Sequence, residues 1–267
     1  MLKIGIVGCG TIGSELAMAI EQECKDKASL VALCDSEKQK ATFLASKLPD
    51  SPPILPLKEL IEECDLVVEA ASASISSEVA RRALLASKDV MVMSVGGLVD
   101  SDIFELANEK HCHIYMPSGA ICGLDGVKNS VMGKISRVTL TTRKPPRGLE
   151  GAPYVVQNKI DLSSISEETI IFEGNAMEAI RGFPKNVNVA ITLSFAGIGP
   201  AKTRVKIICS PEYTTNSHEI EVEGEFGRLT TKTENVPAPQ NPRTSYMAIL
   251  SAIATLKGML DYVKVGT

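Results

Sequence analysis

No apolar run in this chain reaches the ~18 residues that a membrane-spanning helix needs, so no membrane span is expected. A secretory leader is not expected either, because Met1-Leu2-Lys3 runs directly into Ile4-Gly5-Ile6-Val7-Gly8, which reads as a strand and a turn. An excess of basic residues is also missing: 28 Lys and Arg stand against 32 Asp and Glu, for a formal net charge of −4. Nucleic-acid binders carry a basic face or stripe, so nucleic acid is not an expected partner. The seven cysteines, at 9, 24, 34, 64, 112, 122 and 209, are odd in number and contain no CxxC pair. That argues against a disulfide framework or a zinc site and for reduced thiols in a cytoplasmic protein. Histidine is scarce, with three in the chain, and no internal repeat, low-complexity tract or charge block is present.

What is present is a chain of 267 residues, 44% of them hydrophobic, enough for one large or two modest cores. Short apolar runs come at Leu2–Val7, Leu30–Cys34, Leu66–Val68, Val90–Met93 and Ile114–Met116. Segments with helical spacing, such as Ile12-Leu16-Ala19-Ile20, separate them. This alternation predicts a doubly wound parallel sheet covered by helices on both faces.

After Pro117 the pattern changes. Gly119, Gly123 and Gly126 interrupt the chain, and the strands that follow alternate as half-buried, antiparallel strands do. Asn216–Glu223 and Phe226–Thr233 flank Gly224-Glu225 and predict a hairpin. Asn241 as N-cap and Pro242 at the first helical position predict a last helix, which should return to cover the first domain. The expected fold is α/β: a Rossmann domain of residues 1–118 plus 240–267, and a smaller α+β substrate and dimerisation domain of residues 119–239.

Gly8-Cys9-Gly10-Thr11-Ile12-Gly13 is a GxGxxG placed between an apolar strand and an amphipathic helix, the context that gives the pattern meaning. The first glycine allows the turn, the second lets a pyrophosphate approach the backbone, and the third permits close helix packing. Thr11 and Ile12 open the helix whose N-terminus faces the phosphates. Asp35 ends the second strand, where a carboxylate can accept hydrogen bonds from a ribose diol. This favours NAD over NADP, with Lys38 leaving NADP open.

His111 and His113 read as surface residues near a sheet rim. His218 differs: alternation in Ser217-His218-Glu219-Ile220-Glu221-Val222-Glu223 puts it with Ile220 and Val222, opposite three glutamates. An imidazole on a covered sheet face is a candidate acid or base. The loop Pro117-Ser118-Gly119-Ala120 should leave the fifth strand at the ligand-binding edge. Lys185, Asn186 and Asn188 gather at the start of a helix, with more amide groups than capping requires. Arg143, Lys144, Arg147 and Lys185 are the cations available to a carboxylate substrate.

Read together, Gly8–Gly13, Gly119-Ala120 to Gly126, Thr142-Arg143-Lys144-Pro145-Pro146, Phe183-Pro184-Lys185-Asn186-Val187-Asn188-Val189-Ala190 and Asn216-Ser217-His218-Glu219-Ile220 with Gly224-Glu225-Phe226-Gly227 resemble the L-aspartate dehydrogenase family. The resemblance implies NAD(P)-dependent oxidation of L-aspartate to iminoaspartate, which yields oxaloacetate and ammonia or feeds NAD biosynthesis. It implies that His218 is catalytic, that Ala120 and Asn188 (or Asn186) touch the cofactor, and that the protein is a homodimer. Lys144 and Lys185 are then the candidates for the substrate carboxylates. Two other readings stay open: a reductase of another imine or keto acid, like dihydrodipicolinate reductase, and a non-catalytic NAD-sensing module. The serine-rich stretch Glu69-Ala70-Ala71-Ser72-Ala73-Ser74-Ile75-Ser76 departs from what is expected after the third strand.

Overall fold

The computed structural model describes residues 1–99, 101–184 and 188–266. The chain divides into two compact units, Met1–Pro117 with Ile249–Lys264, and Ser118–Ala248 with Val265–Thr267.

The first unit follows the predicted alternation: β1 (Leu2–Val7), α1 (Thr11–Glu23), β2 (Ala28–Cys34), α2 (Lys38–Ala45), α3 (Leu57–Glu63), β3 (Leu66–Glu69), α4 (Ala73–Leu85), β4 (Asp89–Val92), α5 (Ile103–Lys110) and β5 (Ile114–Tyr115). The strands lie in the order β2-β1-β3-β4-β5, and all neighbours are parallel. All four residues of β3 are buried, as befits a strand covered on both faces. The chain leaves β1 to one side for β2 and returns to the other side for β3. The carboxyl ends of β1 and β3 therefore form the topological switch point, where ligands bind in open α/β sheets. Beyond β2, Pro53–Leu55 runs alongside it, with Leu33 N–H donating to the Pro53 carbonyl and Leu55 N–H to that of Leu33, both at 2.9 Å.

The second unit contains α6 (Leu124–Val131), β6 (Ile135–Lys144), α7 (Pro153–Gln157), β7 (Thr169–Asn175), α8 (Ala176–Gly182), α9 (Asn188–Ala196), β8 (Arg204–Cys209), β9 (Asn216–Gly224), β10 (Gly227–Asn235), β11 (Pro237–Ala238) and β12 (Asn241–Ser245). Its main sheet has the order β10-β9-β6-β8-β7. The expectation of antiparallel strands needs one correction. β6 and β8 are parallel, because β7 comes between them in the chain and runs antiparallel to β8, so the two reversals, into β7 and out of it through α8 and α9, restore the direction of β6. The remaining pairs are antiparallel. A bulge at Ser136 shifts the β6–β9 register, so that Ile135 faces Gly224 while Arg137 faces Glu223.

From Val138 onward, parity decides what each face of β6 carries. Val138, Leu140, Thr142 and Lys144 share the covered face with His218, Ile220 and Val222 of β9 and Val205, Ile207 and Cys209 of β8. A Cβ on Gly197, just past α9, would lie 3.5 Å from Val127 of α6 and 3.8 Å from Val138, so α6 and the end of α9 cover this face. The opposite face is polar, with Arg143 bonded to Glu219 at 2.8 Å and Arg137 to Glu223 at 2.6 Å. Surface pairs of this kind contribute about 0.2–1 kcal/mol each. They keep the face hydrated and do not define the fold.

The last helix, α10 (Tyr246–Leu260), begins later than Asn241 and Pro242 predict. Asn241–Ser245 is instead a strand, with Ala238 opposite Asn241 and Pro237 opposite Ser245. This short hairpin takes up the backbone groups that a helix would have used, and Tyr246 N–H closes it on the Val236 carbonyl at 3.0 Å. Ala252 and Leu256 of α10 join Ile4, Ile6, Leu16, Ile20, Leu33, Val68 and Met91 in the core of the first unit. The helix thus returns to the first domain as expected.

Candidate active site

In the first unit the glycine motif folds as its spacing requires. Gly8 has φ of +98°, and a Cβ there would lie 2.6 Å from the backbone of Ala70 and Ala71. A Cβ on Gly13 would stand 1.9 Å from the Gly8 carbonyl oxygen, whereas one on Gly10 would meet nothing within 4 Å. Two glycines are thus required by close backbone packing, and the middle one leaves open space over the loop. Gly10, as N-cap, gives α1 no side-chain cap, and no acidic residue occupies its first turn. The positive end of the helix is therefore left for an anion. Thr11 begins α1, and Ile12 packs partly buried against the core. These residues fit the pyrophosphate of a nicotinamide dinucleotide.

Asp35 lies just beyond β2, and its carboxylate accepts from Cys9 N–H at 2.7 Å and Glu37 N–H at 2.8 Å. It therefore ties the glycine loop to the end of β2. Each carboxylate oxygen keeps a further lone pair, so a ribose diol can still be bound. Cys9 is inert inside the motif: burial, then the charge of Asp35, push its thiol up to about 12.

Glu69 is a residue whose role the sequence did not reveal. It ends β3 with no exposed surface, accepting from Ala71 N–H at 2.8 Å and Ser94 N–H at 3.0 Å. Burial raises its pKa, and those hydrogen bonds pull the other way. The same corner explains part of the serine content: Ser76 is fully buried and donates to the Ser94 carbonyl at 2.9 Å. Glu69 thus fixes the backbone at Ala71, against which Gly8 is packed.

In the second unit His218 lies on the covered face, 5% exposed. Its register partner across the sheet is Thr142, and His218 Nδ1 is 2.9 Å from Thr142 Oγ1. That contact fixes the ring plane and leaves Nε2 as the second hydrogen-bonding atom. Lys144, two residues along the same face, is 7% exposed. Burial lowers the lysine to about 8, and burial together with the Lys144 charge lowers His218 to about 3. At neutral pH the face therefore holds an uncharged imidazole beside a buried cation. Arg143 points the other way, into its pair with Glu219, so the adjacent cations of this segment separate by strand parity.

Ala120 is 6% exposed, and its carbonyl accepts from Thr233 Oγ1 at 2.8 Å and Asn235 Nδ2 at 3.0 Å. Thr233 lies directly opposite His218 in the β9–β10 register. A Cβ on Gly119 (φ +67°) would meet Val189 at 3.5 Å, so this loop also reaches the first turn of α9, which Asn188 begins. The structure thus brings together His218, Thr142, Lys144, the Ala120 loop and the start of α9. Lys185 and Asn186 lie outside the described residues. Arg147 sits in a short 3-10 turn, Pro146–Gly148. His113 is exposed and 3.3 Å from Asp89, and no group of side chains suited to a metal occurs among the described residues.

Comparison with known proteins finds relatives of both halves of the chain. A family model described as "Homoserine dehydrogenase, NAD binding domain" matches residues 8–117, and one described as "Aspartate dehydrogenase, C-terminal" matches residues 125–259. The L-aspartate dehydrogenase of Methanosarcina mazei is 52% identical, with 100% of each chain covered. That of Nitrosopumilus maritimus is 42% identical over the same full coverage. Among solved structures, the aspartate dehydrogenase of Thermotoga maritima shares the fold with a TM-score of 0.76, 24% identity and 100% of each chain covered. With scyllo-inositol dehydrogenase of Lactobacillus casei, solved with NAD(H), the TM-score is 0.57 at 15% identity, over 100% of this chain and 91% of that one. With 52% identity over the full length of one L-aspartate dehydrogenase and a match of residues 125–259 to the family's C-terminal model, the chain belongs to the L-aspartate dehydrogenase family.

Proposed function

We propose that this protein oxidises L-aspartate to iminoaspartate with NAD, and that water converts the imine to oxaloacetate and ammonia. The observation that carries the reading is the pairing of a neutral imidazole and a buried cation on one covered sheet face, His218 beside Lys144. A dicarboxylate supplies negative charge that complements such a lysine, and an amine supplies the proton that the imidazole can take.

The bound nicotinamide serves as hydride acceptor. Before the Cα–H bond breaks, the substrate ammonium must lose a proton, and His218 Nε2 takes it. Thr142 holds the ring by Nδ1 so that Nε2 keeps one direction. A base with a pKa of about 3 is weak, but the carboxylates that L-aspartate brings beside it raise its proton affinity. Lys144 pairs with one substrate carboxylate, and Lys185 is proposed for the other. Ala120 with Asn188 or Asn186 holds the cofactor near the substrate, and the same imidazole assists the water that attacks the imine. Iminoaspartate released before hydrolysis is available to NAD biosynthesis.

NAD is preferred because the Asp35 carboxylate repels a 2′-phosphate; Lys38, exposed at the start of α2, is the residue through which NADP would be accommodated. Residues 1–118 with 240–267 act as the dinucleotide domain and 119–239 as the substrate and dimerisation domain of a homodimer. All seven cysteines are free thiols, in keeping with a cytoplasmic setting. No described helix is long and apolar enough to cross a membrane.

The test is NADH formation at 340 nm with L-aspartate, D-aspartate, L-glutamate and L-alanine, each with NAD and NADP. Turnover confined to L-aspartate and faster with NAD is expected. NADH binding without turnover of any amino acid would refute the aspartate assignment and favour an imine reductase or an NAD sensor. Sedimentation velocity checks the dimer.

A further inference from the structure

The strand β10 carries a row of side chains that the proposed chemistry does not use. Leu229, Thr231, Thr233 and Asn235 alternate with exposed Arg228, Thr230, Lys232 and Glu234, so all four share the face of Ile220 and His218. Each meets the segment between Ala120 and Gly126. Leu229 lies 3.1 Å from where a Cβ on Gly126 would be, and Thr231 lies 2.6 Å from the equivalent point on Gly123. Thr231 Oγ1 donates to the Cys122 carbonyl at 3.1 Å. Thr233 Oγ1 and Asn235 Nδ2 both donate to the Ala120 carbonyl, at 2.8 and 3.0 Å.

The polar part of this row is closed on itself. Ser245 Oγ donates to Asn235 Oδ1 at 3.0 Å, which turns the amide nitrogen toward Ala120 and toward Thr233 Oγ1, 3.2 Å away. Thr233 accepts there and spends its one proton on Ala120. The carbonyl of His218 lies 3.5 Å from the same hydroxyl. Asn235 is 4% exposed, so these bonds do not compete with bulk water and a missing partner is felt in full.

We infer that Thr231, Thr233 and Asn235 are positioning residues: from one strand they pin two alternate carbonyls of the loop, those of Ala120 and Cys122, and so set where the loop's peptide groups lie beside His218. With both lone pairs of its oxygen taken, the Ala120–Ile121 peptide plane cannot rotate, and the loop presents one surface to the nicotinamide end of the cofactor. The role toward the cofactor rests on the proposed assignment of Ala120; the clamp itself rests on the hydrogen bonds alone.

Two readouts separate these layers. Hydrogen exchange of the cofactor-free protein tests the clamp: T233V and N235A should each speed exchange in the peptide covering residues 118–124 by about 3- to 10-fold, the worth of one buried hydrogen bond. Peptides from the first unit should be unaffected. NADH titration by fluorescence tests the consequence: the dissociation constant should rise by a similar factor in T233V and N235A and return to the wild-type value in T233S, which keeps the hydroxyl. N235D adds a pH signature, because only a protonated carboxyl can donate to Ala120; its NADH affinity should improve as pH falls from 8 to 5.5. Unchanged exchange at 118–124 would overturn the clamp, and faster exchange with unchanged NADH affinity would overturn its role. If N235A does not fold, T233V and T233S decide the matter. NADH binding and exchange are independent of L-aspartate turnover, so failure of the aspartate reading would show up in a different measurement.

Discussion

Replacing Lys144 with methionine should stabilise the free protein while removing its activity. The lysine is 7% exposed and lies on a face lined by Leu140, Ile207 and Cys209. Burial lowers it from its ordinary 10.5 to about 8, which corresponds to roughly 3 kcal/mol of destabilisation at neutral pH. The interactions Lys144 makes within the fold are lost with it, so that figure is a ceiling. Methionine has a similar unbranched length and fills the same space without a charge. The pH dependence gives the sharper test. Below about pH 8 the lysine is protonated in both folded and unfolded chains, and the full penalty stands. Between about 8 and 10.5 the unfolded chain holds the proton and the folded one does not, so wild-type stability rises with pH. The advantage of K144M should therefore be greatest at pH 7 and almost gone by pH 10.5. Urea unfolding followed by circular dichroism at 222 nm at these two pH values measures it, with a midpoint shift of up to about 1 M expected at pH 7. A variant less stable than wild type at pH 7, or a gain that does not change with pH, would refute the reasoning. In the wild type, KM for L-aspartate should rise above pH 8 as the cation is lost.

Four other substitutions have outcomes that follow from the same geometry. His218→Ala should lower turnover by roughly 10²–10⁴ with little change in NADH affinity; it should also flatten the loss of stability between pH 6.5 and 3, where the unfolded histidine is protonated and the folded one is not. Gly10→Val should leave the thermal midpoint nearly unchanged but weaken NADH binding at least about tenfold, because its side chain enters the space above the loop. By contrast Gly13→Ala meets the Gly8 carbonyl and should lower stability by about 1–3 kcal/mol in calorimetry. Glu69→Gln turns an amide N–H₂ against either Ala71 N–H or Ser94 N–H; it should cost about 1–3 kcal/mol in urea unfolding, and NADH affinity should fall with it.

The parts of this protein that depend on local pattern could be read from the chain. Gly8, Gly10 and Gly13 announce their roles by spacing, and the alternation around His218 placed it on a covered face before any partner was known. The same parity applies to Arg143 and Lys144, neighbours that the strand sends to opposite faces. The rest depends on pairing across long separations. Thr142 and His218 are 76 residues apart and Asn235 and Ala120 115, so no window of sequence shows them as partners. Glu69 reads in the sequence as the head of the serine-rich stretch after the third strand, and its closure on Ser94 appears only when β3 and β4 lie side by side. Asn241-Pro242 has the composition of a helix start and was overridden by a strand partner at Pro237–Ala238.

The bulge at Ser136 bears on how the length of this chain can change. A residue lost at that point would convert the bulge into regular pairing and leave Thr142 opposite His218. A residue lost at Thr139 has no such slack to absorb it. Every side chain on one side of the deletion would turn over relative to β9, carrying Lys144 out to the wet surface and Arg143 in. The bulge is thus the one point of β6 from Ile135 onward where a single residue can be lost with every face kept, and the eight residues that follow form a reading frame that a deletion must not break.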